Sequence, residues 1–192
     1  GRRLIDPAPV AAADATGLET RHVSAHFGMR RADGNGRRQR AWPKLTAVVH
    51  ARSHPILGAA PGVGPSHDSP DFGPAMRQAA GLVAIDTALG DAGYDAGHNH
   101  RLCREDLGVR RTVIRLNRRN TGRRWPKTPY RRAMRRRFER ELYNQRWHAE
   151  SGLSRHKRRL GPALTARRDA AQGRELVLRV VTHNLMLLAN AA

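Results

Sequence analysis

Short apolar runs separated by turn residues dominate the first half of the chain. Residues 9–14 (PVAAAD) read as a buried strand closed by the turn-prone Thr16-Gly17, and residues 19–27 alternate well enough to form a second extended segment. Asp33-Gly34-Asn35-Gly36 is a polar turn. Residues 45–50 (LTAVVH) and 55–60 (PILGAA) then read as neighbouring strands, with residues 51–54 between them at hairpin length. The first third is therefore a meander. Residues 62–70 form a Gly/Pro/Ser loop, and Ser69-Pro70 signals the start of a helix over residues 71–80.

Residues 82–85 (LVAI) read as a short strand running into Asp86 and then Gly90-Asp91-Ala92-Gly93-Tyr94. Residues 99–107 have helical spacing, stopped by Gly108, and residues 109–116 return to β alternation. From Pro129 the pattern is helical, with Met134, Phe138, Leu142, Tyr143, Trp147 and Leu153 recurring until Gly161-Pro162 breaks it. A last helix over residues 174–189 is apolar on most faces and is expected to bury against a sheet. Strands followed by alternating helices and strands predict an α/β fold with a mixed sheet.

Charge changes the picture. The 192 residues carry 36 Lys+Arg against 16 Asp+Glu, a formal charge of +20, which excludes an ordinary neutral metabolic enzyme as the default reading. The excess is local: between Arg110 and Arg168 there are 21 Lys+Arg and only Glu139, Glu141 and Glu150, while hydrophobic periodicity persists, so the block reads as a polyanion-facing surface. The cations are nearly all arginine, which suits bidentate phosphate contacts and is equally the mark of a GC-rich genome. One cysteine, Cys103, excludes an internal disulfide and fits a reducing compartment. No apolar run is long enough to span a membrane, and the start shows neither a signal peptide nor an initiating methionine, so it reads as the interior of a longer chain.

Three acids stand where chemistry is plausible: Asp14 at the end of the first strand, Asp91 after a later one, and Glu150 inside the arginine-rich helix. If the two strands are neighbours, their carboxyl ends share a crevice that a helix can cross. Three hard oxygen ligands suit Mg²⁺ or Mn²⁺ and phosphodiester cleavage. At 100° per residue, Tyr143, Arg146, Glu150 and Lys157 fall at about 0°, 300°, 340° and 320°, on one helical face. Cations flanking Glu150 keep it ionised and offer contacts to phosphate.

The spacing Tyr143-x2-Arg146-x3-Glu150-x6-Lys157 resembles the tyrosine-arginine-glutamate-lysine signature of bacterial insertion-sequence transposases of the DDE superfamily. Asp91-Ala92-Gly93-Tyr94-Asp95 is similar to the segment bearing their second aspartate, and Asp14-Ala15-Thr16-Gly17-Leu18-Glu19 to that bearing the first. Residues 64–69 (GPSHDS) and His183-Asn184-Leu185-Met186 resemble further landmarks. The resemblance implies one RNase H-like catalytic domain over residues 1–192 without the usual N-terminal helical DNA-binding region, of which only thirteen residues before Asp14 would remain. It implies Asp14, Asp91 and Glu150 as catalytic ligands of Mg²⁺ or Mn²⁺, as two ions, and Tyr143, Arg146 and Lys157 as DNA-binding residues. It further implies DNA cleavage at transposon ends with strand transfer to a target, a homodimer in the DNA complex, and a cytoplasmic, nucleoid-associated location.

Other readings stand beside this one. Asp68, Asp86 and Asp95 compete with Asp91 for the second position; Asp14 and Asp91 alone would be ordinary turn aspartates, and Glu150 the surface partner of Arg146. Tyr143 and Trp147 are equally core-facing aromatics. His98-Asn99-His100 reads as a helix start, Gly62-x-Gly64 as a turn without the Lys-Ser/Thr of a phosphate loop, and Cys103 as structural. The competing functions are a non-catalytic basic nucleic-acid-binding protein and an inactive transposase remnant.

Overall fold

The computed structural model describes residues 5–21, 41–117 and 125–191. Five strands form one sheet: β1 (Val10–Gly17), β3 (Trp42–His50), β4 (Ile56–Gly64), β5 (Thr87–Gly90) and β6 (Arg111–Ile114), in the order β4-β3-β1-β5-β6. β1, β3 and β4 are antiparallel, as the meander predicts, and β1, β5 and β6 are parallel. A second, two-stranded sheet joins β2 (Glu19–Thr20) to β7 (Ala163–Leu164). The rest of the extended segment predicted over residues 19–27, from residue 22, and the Asp33–Gly36 turn lie outside the described residues.

Alternation sends the sheet's side chains to two faces. Ala11, Ala13 and Val48 pack with Phe72, Ala75, Met76 and Ala79 of α1 (Ser69–Leu82). Ala12, Leu45, Ala47 and Val49 pack with Ala149 and Leu153 of α5 (Trp147–Leu160) and Leu176 and Val180 of α6 (Asp169–Ala189). The result is the expected α/β architecture, a mixed sheet flanked by helices. Its edge is closed by side-chain amides: Asn184 of α6 accepts from the Ile56 N–H at 2.9 Å and donates to the Ile56 carbonyl at 2.8 Å, and Gln78 of α1 accepts from Ala59. Three backbone groups on the β4 edge that would otherwise template another strand are thereby satisfied.

Several expected elements move. The strand placed at residues 82–85 is instead β5 at Thr87–Gly90, because the alanine-rich end of α1 stays helical through Leu82; a short apolar run does not by itself distinguish helix from strand. The helix expected over residues 99–107 is α2 (Gly97–Arg101) widened into a π turn at Leu102–Asp106. The single helix expected from Pro129 is three: α3 (Pro129–Arg136), α4 (Arg140–Asn144) and α5. α3 has no buried residue and sets Arg131 above Arg135 and Arg132 above Arg136, like-charge pairs that do not favour continuation, while Phe138, Leu142 and Tyr143 turn inward to the second cluster. α6 buries against the sheet as expected, through Leu176 and Val180, and leaves Val177, Leu178, Val181, Leu185 and Leu188 exposed on its other side.

Candidate active site

The parallel register of β1 and β5 aligns Ala13 with Gly90, so Asp14 and Asp91 are the next residues side by side; Asp91 directly follows β5, whereas Asp14 lies inside β1, which stays paired with β3 through Gly17 rather than ending at Asp14 as the sequence suggests. Asp14 follows the alternation of Ala12 and faces the side covered by α5. α5 lies close because Gly152 meets β3: a Cβ there would stand 2.8 Å from Val49. Ala149, fully buried on the same inner face, fixes the helix one residue before Glu150.

Arg146 joins the two elements. Its Nη1 lies 3.8 Å from Asp14 Oδ1, and its Nη2 donates to Glu150 Oε1 one helical turn on. The guanidinium also lies 6.0 Å from the centre of the Tyr143 ring, which packs on Phe138 at 4.9 Å. Tyr143 belongs to α4 and Glu150 to α5, and the junction is a tight turn in which the Gln145 and Arg146 N–H groups donate to Leu142 and Tyr143, so the even spacing of one continuous helix does not run through it; what brings the two elements to one side is Arg146, which touches both Tyr143 and Glu150. Lys157 sits half-buried two turns beyond Glu150 on α5. Trp147 is exposed rather than core-facing and stacks on His148.

The carboxyl of Asp14 is pushed up to about 6, first by burial and then by the negative charges of Asp91 and Glu150; a backbone hydrogen bond from Ala15 and the charge of Arg146 oppose the rise. Asp91 caps its own turn, accepting from the Gly93 N–H at 2.7 Å. The competing acids are committed elsewhere. Asp86 accepts from Arg110, Thr87 and Arg111, and Arg110 in particular holds its carboxyl at about 2. The side chain of Asp95 is fully buried, bound through both oxygens to Arg131 at 2.7 Å each, and accepts from the Asn117 N–H. Asp68 pairs with Lys44 at 3.2 Å. Asp91 alone of the four has no ion pair among the described residues.

Asp14, Asp91 and Glu150 offer only carboxylate oxygens, a donor set that fits a hard divalent cation. In the present arrangement no three His, Cys, Asp or Glu side chains among the described residues are gathered closely enough to hold one. Glu150, more than half exposed, is drawn to Arg146 instead.

Sequence reasoning missed Lys44 and its surroundings. This lysine, 4% exposed, donates to Ser66 Oγ at 2.8 Å and to the carbonyls of Ser66 and His67, and pairs with Asp68 and with Asp71 at 2.7 Å. It is one of only three lysines and precedes an apolar strand, a signal that was available. The remaining motifs are structural: His100 is buried against Thr112, and burial pushes the Cys103 thiol up to about 12. No described helix is long and apolar enough to cross a membrane.

The family described as transposase DDE domain matches residues 6–185. Among solved structures the chain is similar to the catalytic core domain of BIV integrase, at 14% identity and a TM-score of 0.41, over 90% of this chain and 81% of that one. No curated protein matches the chain.

Proposed function

The chain belongs to the transposase DDE domain family, and on that premise we propose that it is the catalytic domain of a DNA transposase in which Asp14, Asp91 and Glu150 form the acid set. The observation that supports this best is the bridge of Arg146 between Asp14 and Glu150, beside a register that sets Asp14 next to Asp91.

Asp14, Asp91 and Glu150 would hold Mg²⁺ or Mn²⁺, as two ions, whose chemistry when bound is activation of water and stabilisation of a leaving oxygen. The protein's own groups do the rest. Arg146 presents a planar fork of donors to a phosphate flanking the cut, and Tyr143 supports its position. Lys157 and the arginine block extend this side along the DNA backbone, so binding weakens steeply as salt rises. The 3′-hydroxyl freed at a transposon end attacks target DNA by in-line displacement, and two copies act together on the paired ends. The setting is the bacterial cytoplasm, at the nucleoid.

A nicking assay on plasmid DNA carrying the element's ends, with Mn²⁺, tests the reading. Asp91→Asn and Glu150→Gln should each lower nicking by about 100-fold or more while duplex binding persists. Because burial raises the carboxyl of Asp14, protons compete with the cation for it, so the Mn²⁺ concentration needed for nicking should rise as pH falls. The second reading, a basic nucleic-acid-binding protein or inactive remnant, draws on the exposed, Arg146-paired state of Glu150. It predicts that the acid variants bind DNA like the unaltered chain, which itself does not nick.

A further inference from the structure

α6 carries a second apolar stripe that the fold leaves open. With Val177 at 0° and about 100° per residue, Leu188, Val181, Leu185 and Leu178 fall at about 20°, 40°, 80° and 100°, whereas the buried His183, Leu176, Leu187 and Val180 fall between about 240° and 300°. Each of the five residues on the open stripe keeps between 45% and 65% of its surface exposed. Together they present roughly 500 Å² of apolar surface, near the upper end of what a soluble chain leaves uncovered. The stripe is also free of charge along most of its length: residues 180–192 contain no Asp, Glu, Lys or Arg, in a chain of formal charge +20. Its ionic group is Arg174, at about 60°, which is exposed and has no ion pair among the described residues.

We propose that this stripe is the contact between two copies of the chain, their α6 helices lying antiparallel about a two-fold axis at Val181. Three observations select a second copy as the occupant. The first is area: two stripes face to face bury about 1,000 Å², and exposed Arg174, Thr182 and Ala189 at the margins bring the total near the 1,200 Å² or so at which specific pairs begin. The second is charge. α6 has no cation in its last turn, so its final carbonyls form an uncompensated negative end. In the antiparallel register Val177 faces Leu185 of the second copy, and Arg174 faces Leu188 and reaches that negative end, twice over by symmetry. A parallel pair would instead set the two arginines side by side. The third is that other routes are closed: the β4 edge, where a second copy could add a strand, is taken at Ile56 and Ala59 by Asn184 and Gln78, and an uncharged aliphatic stripe offers a phosphate backbone nothing. The part this contact plays in joining transposon ends rests on the transposase reading above, but the contact itself forms without DNA.

Sedimentation equilibrium of the unaltered chain without DNA, at about 0.5 M salt to screen its charge, should show a monomer–dimer equilibrium with a dissociation constant of about 10 µM. Val181→Glu sets two carboxylates against each other and should weaken the pair about tenfold or more, with the circular dichroism spectrum unchanged because the residue is exposed. Val181→Cys should give a disulfide-linked dimer on mild oxidation, since the position meets itself; Cys103, the chain's one cysteine, is buried and adds no background. Mixed Val177→Cys and Leu185→Cys chains should link to each other and neither to itself, which separates the antiparallel from the parallel pair. A monomer at about 100 µM, or a dimer that Val181→Glu leaves intact, overturns the proposal. So does a monomeric Val181→Cys variant that resists a maleimide reagent, because the stripe is then covered by the same chain. Dimerisation seen only with DNA overturns this contact and leaves the transposase reading standing, whereas a DNA-independent dimer of a chain that neither binds nor nicks DNA upholds the contact and removes its role in cleavage.

Discussion

The two ends of the central sheet treat their titratable groups in opposite ways. Beside the carboxyl end of β5, Asp14 is near Asp91 and Glu150, and the set keeps its charge in hand through Arg146 and partial access to water. At the other end, around the β3–β4 turn, imidazoles are packed together in the interior. His54 Nε2 meets His148 Nδ1 at 3.1 Å, His183 Nε2 meets the His54 carbonyl at 3.2 Å, and the His156 and His183 rings lie edge to face at 5.8 Å. Burial pushes His54 and His156 down to about 4, and lowers His183 as well. Clustered carboxylates stay useful because they remain close to solvent and a counter-charge. Clustered histidines contribute here as neutral packing groups.

The contrast makes stability depend on pH in two opposed senses, and the histidine end supplies the larger effect. A histidine whose folded pKa is depressed leaves stability intact above its unfolded value near 6.5 and removes it as pH falls, since the unfolded chain takes the proton first. With His54 and His156 both near 4, each should cost about 2 kcal/mol by pH 5. Denaturant melts between pH 7 and pH 5 should show a loss of several kcal/mol. A flat profile would mean that these imidazoles are hydrated or paired, and the contrast between the ends would dissolve.

Asp14 works the other way. Its raised folded pKa favours the protonated carboxyl, so the associated stability is present at low pH and lost as pH rises through about 6. At neutral pH the ionised group is a burden. Asp14→Asn should therefore raise stability by roughly 2 kcal/mol at pH 7, read as a higher melting temperature, and abolish Mn²⁺-dependent nicking in the same protein. A destabilised variant would show that the carboxylate is held by favourable contacts and carries no strain from its neighbours.

Much of this was legible in the chain, for identifiable reasons. The meander follows from alternation, and the Arg146–Glu150 pair from a four-residue spacing on one helix. That Asp14 and Asp91 become neighbours depends on the β1–β5 register, which local pattern suggests but does not encode. The break of one helix into three depends on where Phe138 and Tyr143 find a core to enter. The histidine cluster was invisible because residues 54, 148, 156 and 183 are united only by the packing of α5 and α6 on the β3–β4 turn. Lys44 was passed over for a related reason: its carboxylate partners lie 24 and 27 residues away, across a loop.

His156 offers the finest test of the comparison. It is fully buried on the inner face of α5, and neither ring nitrogen has a hydrogen-bond partner among the described residues. A buried polar atom left unpaired costs about 1–3 kcal/mol, whereas an apolar side chain of similar size forfeits nothing at that position except some shape complementarity. His156→Leu should thus stabilise the protein by about 1 kcal/mol at pH 7 and reduce the loss between pH 7 and pH 5 by one imidazole's share, about 2 kcal/mol. Nicking should be unchanged, because the substitution touches the α5–α6 packing and leaves Arg146 and Glu150 on their own turn of the helix. If instead His156→Leu destabilised the fold at pH 7 and left the acid profile untouched, the imidazole would be held by a polar partner, and the buried end of the sheet would resemble the carboxylate end in needing its charges matched.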